Sequence, residues 1–186
     1  MRSFVLLILF GLAGGTFAVE PLYVQPLLAQ TRDADQRAEA RRKLNEYAEA
    51  SRLPLLKEGD PDEIRIWVTW ANFRADTIGY ETEGYVFEAN NARTCRIKYP
   101  HSKSTPIKGS CARLRKATVY PPSAFELEAL ANLSGRELDC GVSDGAWLEI
   151  DGVYKGHQFS LGSSNPDQCL DDGSKVVAKI MAQVLR

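Results

Sequence analysis

Four cysteines, Cys95, Cys111, Cys140 and Cys169, constrain this 186-residue chain more than any other feature, because all lie in its second half. Neighbouring cysteines are separated by 15, 28 and 28 residues, so none forms the close C-x-x-C pair that a structural zinc site uses. In an exported chain four cysteines are most simply two disulfides, whereas in the cytosol they would suggest metal or redox chemistry. The N-terminus decides between the two. Met1-Arg2-Ser3 is short and positive, residues 4–12 are apolar but for Gly11, and Ala13-Gly14-Gly15 closes the run with small residues. That is the grammar of a secretion signal, and Thr16-Phe17-Ala18 places the cut after Ala18. The apolar run is shorter than the roughly 20 residues needed to span a bilayer. The expectation is a secreted or periplasmic protein without a membrane anchor after cleavage, holding two disulfides and neither metal nor cofactor.

Residues 1–18 contain Arg2 and no acid, so their removal moves the formal net charge from −1 to about −2. A near-neutral surface of mixed sign gives no reason to expect nucleic acid as partner. The length left after cleavage suits one domain with its own core.

Residues 19–62 read as a leader punctuated by Pro21 and Pro26, a charged helix over 31–53, and a linker marked by Pro54, Gly59 and Pro61. Ala40, Leu44, Tyr47 and Ala48 give the helix a narrow apolar stripe, and Glu39 with Lys43 forms a favourable i,i+4 pair. So thin a stripe predicts weak docking, or a helix that stands off the domain. The domain itself, residues 63–186, opens with period-two alternation through Ile64, Ile66, Val68 and Trp70, which is a strand. A second strand spans 77–88, weakened or bulged at Gly79 and Gly84; Asn90-Asn91 turns the chain into a third over 93–99. A polar stretch returns it to Cys111 and a fourth strand ending near Tyr120. Pro121-Pro122 stops this antiparallel meander, and Ser123-Ala124-Phe125-Glu126 has capping-box spacing for a helix carrying Leu127, Leu130 and Ala131 and ending at Gly135. A hairpin spans 146–161, with its turn at Asp151-Gly152 or Lys155-Gly156. Residues 174–186 place Val177, Ile180, Met181 and Val184 on one helical face. The fold class is α+β: an antiparallel sheet, a helix after the meander and a C-terminal helix, preceded by the charged helix.

Hairpin symmetry pairs the cysteines. A turn near Lys103 makes Cys95 and Cys111 mirror positions. A turn at Lys155-Gly156 brings the mirror of Cys140 within two residues of Cys169, a better match than Asp151-Gly152 provides. The prediction is Cys95–Cys111 and Cys140–Cys169, with the later turn; the two other connectivities stay open on sequence alone.

The last quarter of the chain carries Cys140-Gly141-Val142, Gly145 through Ile150, Tyr154 through Phe159, Asn165-Pro166, Cys169 and a short apolar helix. It resembles small secreted or periplasmic bacterial proteins of unknown function that end in a hairpin, an Asn-Pro loop and a closing helix. The resemblance implies that architecture and an envelope location, and no catalytic residue.

No nucleophile elbow or comparable flag accompanies His101 and His157, so both read as surface histidines. Asp144, Glu149, Asp151 and Asp171-Asp172 could supply a glycosidic acid pair, but no spacing singles one out. The stretch 167–173 fails as a calcium loop, since Cys169 takes the third position and Ala178 stands where the closing Glu belongs. Asn132-Leu133-Ser134 has the form of a glycosylation sequon. Aromatics gather in the meander, and Trp67, Trp70, Tyr85 and Phe87 are the candidate binding surface, against a sheet covered on both faces with both tryptophans in core. Three functions remain. First is a non-enzymatic module that binds a protein partner, as an inhibitor or immunity-type protein does. Next is a structural envelope protein using helix 31–53 as a tether, and last a small hydrolase of cell-wall or polysaccharide material using Glu149 and Asp151.

Overall fold

A computed structural model describes residues 30–31, 33–70, 81–98, 107–114, 121–139 and 145–185. The signal over 1–18 and residues Phe73, Tyr80, Tyr99, His101, Cys140 and Asp144 lie outside them. In chain order the elements are β1 (Gln30–Thr31), α1 (Ala34–Ala50), β2 (Glu63–Trp70), β3 (Glu81–Glu88), β4 (Asn91–Lys98), β5 (Lys108–Arg113), α2 (Leu127–Asn132), β6 (Arg136–Leu138), β7 (Ala146–Tyr154), β8 (His157–Ser164) and α3 (Asp172–Val184). The eight described strands form one sheet in the order β1-β6-β8-β7-β2-β3-β4-β5. Every neighbouring pair is antiparallel except β6 with β8. The fold is α+β, as the alternation in the sequence implies.

The meander is β2 to β5. Its first turn falls one residue earlier than expected: Glu88 pairs with Asn91, so Asn91 opens β4 and Ala89-Asn90 make the turn. The β7–β8 hairpin turns at Lys155-Gly156, where both residues take positive φ, 51° and 80°. That backbone twist matches the right-handed twist of the flanking strands, which is why a two-residue loop suffices. The Asp151-Gly152 alternative is excluded, since both residues lie within β7.

Two apolar cores lie on opposite faces of the sheet. On one face Ile64, Ile66, Val68, Leu148, Ile150, Phe159 and Leu161 meet α2 and α3 through Leu127, Leu130, Val177 and Ile180. Each such side chain contributes about 1.5–3 kcal/mol by leaving water. Asp171 caps α3, its carboxylate accepting from Ser174 N at 2.8 Å. The entry to α2 differs from expectation. Pro122–Ala124 form a 3-10 turn, and Glu126 sits at the helix N-cap without a side-chain cap bond, so Ser123 starts no capping box. Two prolines pin the chain into the tighter turn first, and the α-helix begins only afterwards.

On the other face Trp67, Val86, Cys95 and Ile97 meet Leu44, Tyr47, Ala48 and Leu53. α1 starts at a full capping box: Asp33 Oδ1 accepts from Gln36 N at 2.8 Å, and Gln36 Oε1 from Asp33 N at 2.9 Å. Its apolar stripe is the expected one, but weak docking is corrected. Tyr47 is buried with its ring 5.3 Å from that of Trp67, and four residues per two turns are enough because they are set into an aromatic surface. The exposed ion pairs also differ: Arg42 bridges Glu39 and Glu46, while Lys43 lies 5.8 Å over the Tyr47 ring.

Gly84 is neither bulge nor weakness. It pairs with Trp67, and a Cβ there would lie 2.3 Å from the indole ring, so the missing side chain is the seat of the tryptophan. The disulfide Cys95–Cys111 joins β4 to β5 in direct register beside it. Cys169 is buried and disulfide-bonded; Cys140, its expected partner, lies outside the described residues. The mirror argument for that pair does not hold as made, because β7 begins at Ala146 and β8 ends at Ser164.

Candidate functional site

Two places in the molecule gather chemistry: a charged row beneath α1, and the outer face of β3–β5.

The charged row follows from register. Arg65 lies opposite Asp151, and Trp67 opposite Glu149, so one side of β2 and β7 carries alternating polar groups where an amphipathic sheet would carry apolar ones. Arg65 is only 1% exposed; its Nε donates to Glu63 Oε1 at 2.6 Å, and its Nη2 finds no hydrogen-bond partner among the described residues. Trp67 Nε1 donates to Asp151 Oδ1 at 3.0 Å, and Trp147 Nε1 to Glu149 Oε1 at 3.2 Å. Burial pushes the Asp151 carboxyl up to about 6, against the pull of Arg65 and the Trp67 hydrogen bond. Burial raises Glu63 in the same way. Two carboxyls therefore flank one buried guanidinium, and desolvation outweighs the attraction at both. From α1, Arg41 reaches over this row to donate to Gln158 Oε1 at 2.7 Å.

Glu149 and Asp151 were the acid pair considered for glycosidic chemistry. Two residues apart on one strand face, they stand roughly 7 Å apart along the chain, within the range such pairs use. Substrate access is what they lack. Glu149 is 4% exposed, and the cavity bounded by Arg41, Arg65 and Asp151 holds about 10 Å³, the space of about one water. Asp171 and Asp172 are engaged at the start of α3, as cap and as partner of Lys175 at 2.9 Å. His157 is exposed in the hairpin, 3.3 Å from Glu58. Ser134 of the sequon accepts from Ser160 N at 3.2 Å. The Asn-Pro loop serves the fold as well, since Asn165 Oδ1 accepts from Ala146 N at 2.9 Å and so holds the end of β8 to the start of β7. Among the described residues no group of three or more His, Cys, Asp or Glu is placed to hold a metal ion.

The four residues considered for a binding surface do not share one. Trp67 lies under α1, and Phe87 is in the opposite core with its ring 4.7 Å from that of Phe125; neither reaches solvent. Burial thus removes both from any surface. Trp70, at the end of β2, is 37% exposed. Tyr85 is half-buried and opens onto a trough of about 380 Å³ on the outer face of β3–β5, with Glu83, Thr94, Arg96, Ser110 and Ala112. The trough exists because α2 and α3 pack over β2, β7 and β8 and stop short of the meander's far strands. Tyr85 Oη donates to Glu83 Oε2 at 3.0 Å, and burial, helped by that carboxylate, pushes the phenol up to about 12. Arg96 stands 3.7 Å from the other oxygen of Glu83. Beyond it, Lys98 on β4 and Lys108 on β5 are directly opposed and exposed.

Sequence reasoning overlooked Arg96, Lys98 and Lys108, although a signal was present. The mirror that pairs Cys95 with Cys111 also pairs Lys98 with Lys108 and Arg96 with Ser110. A second concavity, about 560 Å³ beside α2, is acidic through Asp62, Glu126 and Glu128. Its acids are already engaged, by Lys155 N at 2.8 Å, Lys179 at 3.1 Å and Tyr154 Oη at 3.4 Å. No protein-family profile and no curated protein matches the chain. What the described residues define is a class: a disulfide-stapled α+β domain whose described helices leave the outer face of β3–β5 uncovered.

Proposed function

We propose that this chain is an exported, non-enzymatic module that binds another protein through the outer face of β3–β5. Residues 1–18 direct it out of the cytoplasm and are removed, and it works in the periplasm or beyond the cell. One observation carries the reading: the helices cover one part of the sheet on each face and leave a half-polar trough on disulfide-braced strands, where a rigid scaffold presents side chains without further ordering cost. The disulfide suits an oxidising compartment. The hydrolase alternative rested on Glu149 and Asp151, and Glu149 is buried beside a cavity too small for a substrate. The tether alternative needs a free helix, whereas α1 is committed to the second core through Leu44 and Tyr47.

The test uses the full-length chain expressed in a bacterium, carrying a photo-crosslinking amino acid at Ser110 or, as control, at Lys175 on α3. Material recovered from the envelope, shortened at Ala18 and crosslinked to one species from position 110 but not 175, supports the proposal. Cytosolic protein with alkylatable thiols overturns the export part; silence at 110 overturns the binding part.

A further inference from the structure

We infer that α1 and the linker after it, residues 51–62, form a proton-dependent latch, seated over the charged row of β2 and β7 while Asp151 is protonated and loosened when that proton leaves. The latch lies on the face opposite the trough, so it stands or falls apart from what the trough binds.

The path of the chain builds the latch. α1 runs from β8, where Arg41 meets Gln158, to β5, where Ala50 and Ser51 lie against Gly109. Arg52 takes a left-handed φ of 57° and turns the chain back. The linker then returns to the tip of the β7–β8 hairpin: Gly59 N donates to Gly156 O at 2.7 Å, and Lys155 N to Asp62 Oδ1 at 2.8 Å. Gln158 is the clasp. Its side-chain oxygen accepts from Arg41 at 2.7 Å, its side-chain nitrogen donates to Leu56 O, and its backbone N–H donates to Glu58 Oε1 at 3.0 Å. These bonds lie mostly at the surface, and the apolar cluster under α1 is the smaller of the two. This flap is therefore the part of the fold that opens most easily.

Asp151 lies under it. With Arg41, Leu44, Leu55, Arg65 and Phe159 it bounds the cavity of about 10 Å³. From β2 it faces Arg65, Glu63 and the Trp67 indole, and from α1 it faces Arg41. Glu149 stands two residues away on β7. Leu55 and Leu56 of the linker and Gln158 and Phe159 of β8 bring no charge. Glu88 and Arg93 reach Glu63 instead. Three carboxyls thus stand against the buried Arg65, whose Nε is already bonded to Glu63, while Arg41 spends its Nη1 on a neutral amide. A proton on Asp151 removes one buried charge; lifting the flap hydrates the carboxylate instead. Linkage gives the sign. The closed carboxyl holds its proton up to about 6, a hydrated one only to about 4. Opening releases a proton between those values, so the latch is tightest below about 4 and loosest above about 6.

The test is native-state hydrogen exchange on the full-length chain at pH 4.5 and 7.5, corrected for intrinsic rates and repeated in low urea. Expected is one cooperative set, α1 with the linker, exchanging ahead of α3 at both pH values and protected about tenfold less at pH 7.5. Asp151→Asn should remove most of that drop. Gln158→Ala should lower protection of the set at both pH values and keep the drop. His157 and Glu58, 3.3 Å apart at the surface, also join hairpin to linker, so His157→Gln serves as control and should keep the drop too. The carboxyl carbon resonance of Asp151 in the wild type, titrating near 6, gives a check that needs no variant to fold. Exchange of α1 only together with α3, equal protection at the two pH values, or a carboxyl titrating near 4 overturns the inference. So does a drop that survives Asp151→Asn or disappears in His157→Gln.

Discussion

The two faces of the sheet are closed by different chemistry. Under α2 and α3 the buried side chains of β2, β7 and β8 are aliphatic or aromatic apart from Ser163, and Phe87 of β3 packs against Phe125. On the face that α1 covers, the same strands bury Trp67, Arg65 and Glu149, with Glu63 and Asp151 partly buried beside them. An apolar face loses stability only where contacts are lost. A face that buries ions also depends on pH, since each charge there must be offset by a partner or shed by protonation.

The largest expected effect tests the charged face directly. Arg65→Met leaves Glu63 and Asp151 without their buried counter-charge and should cost about 3–5 kcal/mol. The loss should be smaller at pH 5 than at pH 8, because both carboxyls can then take up protons. Urea unfolding at the two pH values reads it, and equal losses would erase the distinction between the faces. Leu148→Ala on the opposite face should cost about 2–5 kcal/mol through transfer and cavity terms, by the same amount at both pH values. Removing the bridge as Cys95→Ala with Cys111→Ala should cost about 3 kcal/mol for a loop of this length, measured as a drop in urea midpoint.

The smallest effect carries a sign. Asp151 has its folded-state pKa raised from 3.8 to about 6, so ionising it disfavours the fold. Its penalty is complete above about 6, fades as pH falls through that value, and is absent below about 4. Acidification from pH 7.5 to 5 should therefore stabilise the wild type through this group. Asp151→Asn should stabilise by about 1–2 kcal/mol at pH 7.5 and by little at pH 4.5, the partial exposure of the residue reducing the full value. Thermal melts across that range check it, and a variant less stable than wild type at pH 7.5 would show that the Trp67 hydrogen bond outweighs desolvation.

Much of this architecture was legible. The alternation of Ile64, Ile66, Val68 and Trp70 is β2, the stripe of Ala40, Leu44, Tyr47 and Ala48 is the buried face of α1, and hairpin symmetry paired Cys95 with Cys111. These are local or nearly local patterns, and backbone periodicity alone reports them. β1 and β6 were missed because two or three residues carry no period, and a parallel pairing with β8 is invisible to neighbours in sequence. The binding-surface residues were half misplaced for another reason. Alternation sets Trp67 and Trp70 on opposite faces of their strand but says nothing about which face a distant helix covers.

By itself, then, the sequence determined the longer elements, the β4–β5 mirror, the β7–β8 turn and the first disulfide, because each depends on residues a short loop apart. Only the tertiary structure decided that α1 seals Trp67 against Gly84, that Arg65 is drawn inside between two acids, and that the described helices leave the outer face of β3–β5 uncovered. Those outcomes are set by which surfaces, far apart along the chain, exclude water from one another.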